Sequence, residues 1–392
     1  MDKRENPTHY QTPIGPLGII PVDGIRPLAE MVDNYLSVWR AENKKNHSNE
    51  IAYHGYSKES FIISAKTPRF GSGEAKGIIE ESVRGMDLYI LADVTNYSVT
   101  YKLSGDINYK SPDDHYQDIK RIVAAASGKA RRINVIMPFL YEGRQHKRTG
   151  RESLDCAIAL QELVKMGVDN IITFDAHDPR VQNAIPLHGF ETITPSYQFI
   201  QGLLGSVKDL TIDSDNLMMI SPDEGATARA IYMANLLGID MGMFYKRRDY
   251  TRLENGRNPI VAHEFLGRDL EGKDVIIIDD MISSGESILD VARELKKRNA
   301  NRIFMMATFG LFTNGYEIFD KAYEEGLFTK LISTNLVYQE KELLDKPYYI
   351  NCDMSKYIAL IIDNLNHDGS LSEVLSPVEK IQAYVDEYKA NK

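Results

Sequence analysis

The chain has 392 residues, 43% of them hydrophobic and 26% charged, and its 56 acidic and 46 basic side chains leave a net charge of −10. That length accommodates two domains, each with its own core, and the acidic balance excludes the broad basic surface that bulk nucleic-acid binding needs. No apolar run approaches the about 20 residues that span a bilayer, and the N-terminus MDKRENPTHYQTP lacks the apolar core of a secretory signal. With two cysteines, Cys156 and Cys352, far apart and without metal-site spacing, reduced thiols in a cytoplasmic protein are expected.

Residues 1–17 read as a polar extension. Beyond them, β-rich apolar runs predict strands at Asp87–Ala92, Arg132–Pro138, Asn170–Phe174, Leu217–Ile220, Met241–Tyr245, Val275–Ile278 and Ile303–Thr308. Apolar spacing of three and four predicts helices at Ser153–Gly167, Ala226–Gly238 and Ile288–Lys297. Strands that alternate with helices imply an α/β protein whose sheets are mostly parallel and flanked by helices. The pattern stops and restarts near Ile193–Ser206, so residues 18–193 and 194–392 are read as two domains. A faint echo links them, Gly85–Val94 (GMDLYILADV) and Gly272–Met281 (GKDVIIIDDM).

Positive charge is concentrated in two islands, one at Arg144, Lys147, Arg148 and Arg151, the other at Lys246, Arg247, Arg248 and Arg252. In an acidic chain such islands suit small polyanions, although either alone is equally compatible with a solvated loop. The most informative stretch is Val275–Ser287, VIIIDDMISSGES. A buried strand here ends in two carboxylates, Asp279 and Asp280, which suit a sugar's vicinal hydroxyls or a divalent metal. Ser283, Ser284, Gly285 and Ser287 then bring hydroxyls and backbone N–H groups to a helix start, where an anion is favoured. Together these groups describe a site for a phosphorylated ribose. The loop is neither a Walker A sequence nor a dinucleotide-binding turn.

The loop resembles that of the phosphoribosyltransferase fold, with Glu286 standing where the family pattern has a small residue. From about Gly24 to Ile362 the chain resembles the ribose-phosphate pyrophosphokinase family, which implies two phosphoribosyltransferase-like domains. In the segment Arg69–Leu91, the resemblance assigns Phe70 to stacking on the adenine of ATP and Glu74 to its amino group, with Ser72 in place of an acid. In MPFLYEGRQHKRTGRES it assigns Arg144 and Gln145 to ATP, with His146 and Lys147 as substitutions. His177, in ITFDAHDPRV beside Asp175, matches a residue for the ATP phosphates or their magnesium. Asp223, in SPDEGATARA, matches a metal or ribose contact, with Ala226 replacing a glycine and thereby limiting the approach of a ligand. Lys246 and Arg248 match the catalytic cations of a mobile loop that would include Gly256 and Pro259.

The implied reaction transfers the pyrophosphoryl group of ATP to the anomeric hydroxyl of ribose 5-phosphate, with Mg2+ as cofactor. The family's habits imply a homo-oligomer, without nucleic-acid or membrane partners. Two other readings are a phosphoribosyltransferase that consumes phosphoribosyl pyrophosphate and a catalytically silent regulatory relative. Trp39 and Glu42–Glu50 have no account in these terms, and the terminus after about residue 366, with its amphipathic VEKIQAYVDEYK, is expected to carry little chemistry.

Overall fold

A computed structural model describes residues 12–44, 55–248, 260–372 and 377–391, the side chains of 246–248 and 260–263 excepted. The chain divides into two units. The first runs through Thr194 and takes in Asn335–Tyr338 and Asp353–Ser376, while the second comprises Pro195–Thr334, Gln339–Cys352 and Pro377–Lys392. Residues 335–338 and 353–376, expected within the second domain, therefore belong to the first unit.

In the first unit the strands Leu17–Pro21, Asp87–Leu91, Arg132–Ile136, Asn170–Phe174 and Gly189–Ile193 lie side by side in that order, all parallel. Their near-continuous apolar sequences suit a sheet covered on both faces. Helix Pro112–Ala126 brings Tyr116, Ile119, Ile122 and Val123 into one core with Ile20, Leu88, Ile90 and Val135. It begins cleanly because Ser111 and Asp114 form a reciprocal capping box. Helix Arg26–Lys44 packs against Ser355–Asn366, and Trp39 is buried there beside Tyr35. Trp39 is thus a core residue.

Beneath the start of this sheet lies a buried polar network. Asp87 accepts from Arg132, Asn134 and Asn366, and Arg40, itself 1% exposed, pairs with the fully buried Asp363 at 2.9 Å. Buried charges persist only when paired and hydrogen-bonded. Arg40 ties helix Ser355–Asn366 to helix Arg26–Lys44, while Asn366 and the Arg132–Leu365 carbonyl bond tie it to the strands, so Asn366, read from sequence as the start of an idle tail, is part of the fastening.

The second unit has seven strands in the order Ile260–Leu266, Asp240–Arg248, Leu217–Ser221, Asp274–Ile282, Ile303–Gly310, Lys330–Thr334 and Tyr349–Cys352, with only the first pair antiparallel. Asp274–Ile282 is central. It is longer than its apolar run suggests, continuing through both acids to Ile282, with Asp279 opposite Ala307 and Met281 opposite Phe309. Helices Glu286–Lys297 and Glu317–Glu324 contribute to one core, and Ser196–Ser206, Thr227–Leu237 and Val378–Ala390 to another. The last of these buries Ile381 and Val385, and its Tyr388 hydroxyl donates to the Val207 carbonyl at 2.7 Å. Among the described residues no helix is long and apolar enough to cross a membrane.

Candidate active site

In the second unit the site grows from the central strand. Asp279 lies at its carboxyl end, where open α/β sheets hold their ligands, with Oδ1 accepting from the Asp280 N–H at 2.9 Å. Arg229 Nη1, from helix Thr227–Leu237, stands 4.0 Å from the same oxygen. Burial, and then the Asp280 carboxylate, push Asp279 up to about 8. A ligand that brings positive charge or hydroxyl donors would favour the ionised form.

Ser283 and Ser284 are half-buried, Ser287 and Glu286 exposed, and Gly285 buried. Gly285 has φ +91°, and a Cβ there would lie 2.1 Å from Phe319 Cζ. Only glycine meets both demands. The turn it makes opens helix Glu286–Lys297 without a side-chain cap, and the first N–H groups of such a helix, which lack intrahelical acceptors, suit an anion. Asp223 is engaged locally, with Oδ1 accepting from Gly225 N at 2.9 Å and Ala226 N at 3.3 Å. Ala226, in the place of the expected glycine, is fully buried.

In the first unit two loops follow adjacent strands, Arg132–Ile136 and Asn170–Phe174. Arg144 is exposed, and Gln145 Nε2 donates to the Ser153 carbonyl at 2.8 Å. His146 and His177 approach with ring centroids 5.4 Å apart, and His146 Nε2 lies 3.4 Å from Asp178 Oδ2. The guanidinium of Arg180 holds Asp178 down to about 2. Asp175, just before His177, is buried with φ +38°, a strained conformation for a non-glycine residue. His146, His177, Asp178 and Arg180 form one polar cluster. Arg69–Glu74 is a separate closed turn, with Phe70 N donating to Glu74 O at 2.7 Å. Its Phe70 ring is 52% exposed, and Ser72 Oγ donates to Glu74 Oε2 at 2.8 Å.

Lys246 and Arg248 lie on strand Asp240–Arg248, with His263 and Ile260 as their backbone neighbours across the antiparallel pair. Their side chains fall outside the described residues, as do Arg252, Gly256, Pro259 and residues 45–50.

A model of the N-terminal domain of ribose phosphate pyrophosphokinase matches residues 18–167, and one of the phosphoribosyl transferase domain matches residues 190–335. The chain belongs to the ribose-phosphate pyrophosphokinase family. Ribose-phosphate pyrophosphokinase of Vibrio parahaemolyticus is 26% identical over 316 residues, covering 80% of this chain and 91% of the relative. That of Shewanella oneidensis is 28% identical over 315 residues, covering 79% and 89%. The crystal structure of phosphoribosylpyrophosphate synthetase from Mycobacterium smegmatis shares the fold, with a TM-score of 0.69 at 20% identity, over 90% of this chain and 99% of that one.

The second unit carries the paired acids and the Gly285 turn, and the first carries the histidine-bearing loops. Among the described residues no three His, Cys, Asp or Glu side chains gather into a metal cage. The paired carboxylates of Asp279 and Asp280 on the second unit are donors of the kind that magnesium takes, one or two at a time alongside waters and substrate phosphates. Sequence reading missed Arg229, six residues after Asp223. Arg229 had a signal, a cation one turn into the helix behind a strand-end acid.

Proposed function

We propose that this protein is a ribose-phosphate diphosphokinase, transferring the pyrophosphoryl group of ATP to the anomeric hydroxyl of ribose 5-phosphate and releasing AMP. The observation that carries the reading is the pairing of two halves. The second unit has the acid pair and phosphate-type turn of Asp279–Ser287, and the first matches the N-terminal domain specific to this family. A phosphoribosyltransferase that consumes phosphoribosyl pyrophosphate has no need of the second feature.

In this reading the N–H groups and hydroxyls of Ser283, Ser284, Gly285 and Ser287 bind the 5′-phosphate. Asp279 and Asp280 accept from the ribose hydroxyls, fixing the sugar so that its anomeric hydroxyl is presented in line. Phe70 and Glu74 receive the base of the nucleotide, and Arg144, Gln145 and His177 receive its phosphates. An arginine fork suits phosphate because it donates two parallel hydrogen bonds. Lys246 and Arg248 stabilise charge on the transferring group, a contribution that reaches about 10³ to 10⁵ in rate for comparable arginine fingers. Mg2+ would neutralise phosphate charge when bound, and the candidate metal contacts are His177 on the first unit and, separately, Asp223 on the second.

The test is to incubate the purified protein with ATP, ribose 5-phosphate and magnesium and to follow AMP and phosphoribosyl pyrophosphate by chromatography, with GTP and CTP as alternative donors. Equal formation of both products is expected. Absence of a nucleoside monophosphate with every donor, in a folded protein that binds ribose phosphates, would favour the silent regulatory relative.

A further inference from the structure

The hairpin Thr100–Leu103/Asp106–Tyr109 pairs only with itself in a two-stranded sheet. Such a hairpin is marginal alone, so its position depends on what its side chains grip. Alternation along a strand sends Tyr101 and Leu103 to one face, while Ile107 and Tyr109, 66% and 68% exposed, belong to the other. The first face meets the Arg69–Glu74 turn. The Arg69 guanidinium carbon lies 4.8 Å from the centre of the Tyr101 ring, and a Cβ built on Gly73 would lie 3.1 Å from Leu103 Cδ1.

Arg69 is the keystone of the turn. Its side chain is 9% exposed, and it donates to Gly73 O at 3.2 Å, across the turn it begins. It also pairs with Asp114 at 3.1 Å and Asp118 at 3.5 Å on helix Pro112–Ala126. Lys110, immediately after the hairpin, is 3% exposed and reaches Asp118 at 2.7 Å and Asp23 at 2.6 Å. Carboxylates thus fix the arginine from one side and an aromatic face from another. The turn they hold presents an exposed Phe70 ring and the Ser72–Glu74 pair.

We propose that Tyr101 and Leu103 are positioning residues for nucleotide binding, holding the Arg69–Glu74 turn in the shape that presents Phe70 and Glu74 to the base. This rests on the nucleotide-side reading of that turn. It adds that affinity for the donor is set from behind, by a hairpin that touches neither substrate. A partly buried cation–π contact contributes enough to change an equilibrium about ten-fold when lost.

Steady-state kinetics with ATP and ribose 5-phosphate test this in Tyr101→Ala, Tyr101→Phe, Leu103→Ala, Phe70→Ala and the opposite-face control Ile107→Ala. Expected are an about ten-fold rise in KM for ATP in Tyr101→Ala and Leu103→Ala, with kcat and the KM for ribose 5-phosphate within about two-fold of the parent. Tyr101→Phe keeps the ring and restores the parent value, and Ile107→Ala leaves it unchanged. If Phe70→Ala raises the KM for ATP while Tyr101→Ala and Leu103→Ala do not, the positioning role is overturned and the base-site reading stands. No effect from Phe70→Ala would overturn both. Equal rises for both substrates, or a matching rise in Ile107→Ala, would show general loosening and likewise overturn the proposal.

Discussion

The strands Asp87–Leu91 and Asp274–Ile282 begin alike and end differently. Each opens on an aspartate that takes an arginine from its neighbour, Arg132 Nε at 2.7 Å from Asp87 Oδ1 and Arg302 Nη2 at 2.7 Å from Asp274 Oδ2. Six residues on, each carries a second buried aspartate, Asp93 at 2% exposure and Asp280 at 4%. There the likeness stops. Asp93 follows Ala92, and its carboxylate accepts from Thr95 N at 2.9 Å, Thr95 Oγ1 at 2.7 Å and Tyr338 N at 2.6 Å. Asp280 follows Asp279 and leads through Ser283–Gly285 into a helix start. The amino ends of the strands are alike because both must anchor a sheet, whereas the carboxyl ends diverge because only the second carries the acid pair and turn to which we assign the ribose phosphate.

The largest expected effect is at the shared feature. Asp87→Ala would leave Arg132, Asn134 and Asn366 without their common acceptor inside the first unit, a loss of about 3–5 kcal/mol by analogy with broken buried ion pairs. Asp274→Ala should cost clearly less, because Arg302 is 25% exposed and also pairs with Asp209. Denaturant unfolding of both variants checks this, and equal losses would break the comparison.

Next comes the turn that only the second unit has. Gly285→Ala meets an unfavourable φ of +91° and the Phe319 ring, together about 3 kcal/mol. Loss of stability should be accompanied by loss of ribose 5-phosphate binding in calorimetry. An alanine variant that binds normally would remove the turn from the phosphate site.

Asp279 gives a subtler contrast, since Ala92 stands at its place in the first unit. Its carboxyl titrates near 4 in the unfolded chain and is raised to about 8 in the fold. Between those values the folded state holds the extra proton, so stability falls as pH rises through that window. In Asp279→Asn the melting temperature should decline less between pH 6 and 9 than in the parent, while the KM for ribose 5-phosphate rises. Parallel melting curves would show that the acid is not held neutral.

Much of this was legible in the sequence. The unbroken apolar runs marked the central strands because a parallel sheet buries both faces, and the order of acids, serines and glycine marked the passage from strand Asp274–Ile282 through a glycine turn into a helix. What escaped detection depends on partners remote in sequence. Strands Leu17–Pro21, bounded by glycine and proline, and Gly189–Ile193, mixed in polarity, do not stand out, and the return of Ser355–Asn366 to the first unit depends on Arg40 and Asp87, about 320 and 280 residues away. The hairpin Thr100–Tyr109 reads as a polar loop because its packing partner is another loop.

The smallest effect tests whether Asp93 is only architecture. Burial raises its pKa, yet its acceptors serve backbone and hydroxyl donors of its own unit. Asp93→Asn retains one oxygen for Thr95 but sets an amide N–H against the Tyr338 N–H, and one lost buried hydrogen bond costs about 1–2 kcal/mol. Unfolding should register that loss while the kinetic constants for ATP and ribose 5-phosphate stay at parental values. In Asp280→Asn the balance should invert, with the KM for ribose 5-phosphate moving more than stability. If Asp93→Asn also altered either KM, the first strand's end would belong to the catalytic apparatus, and the division between anchoring and ligand-binding ends would have to be abandoned for that unit.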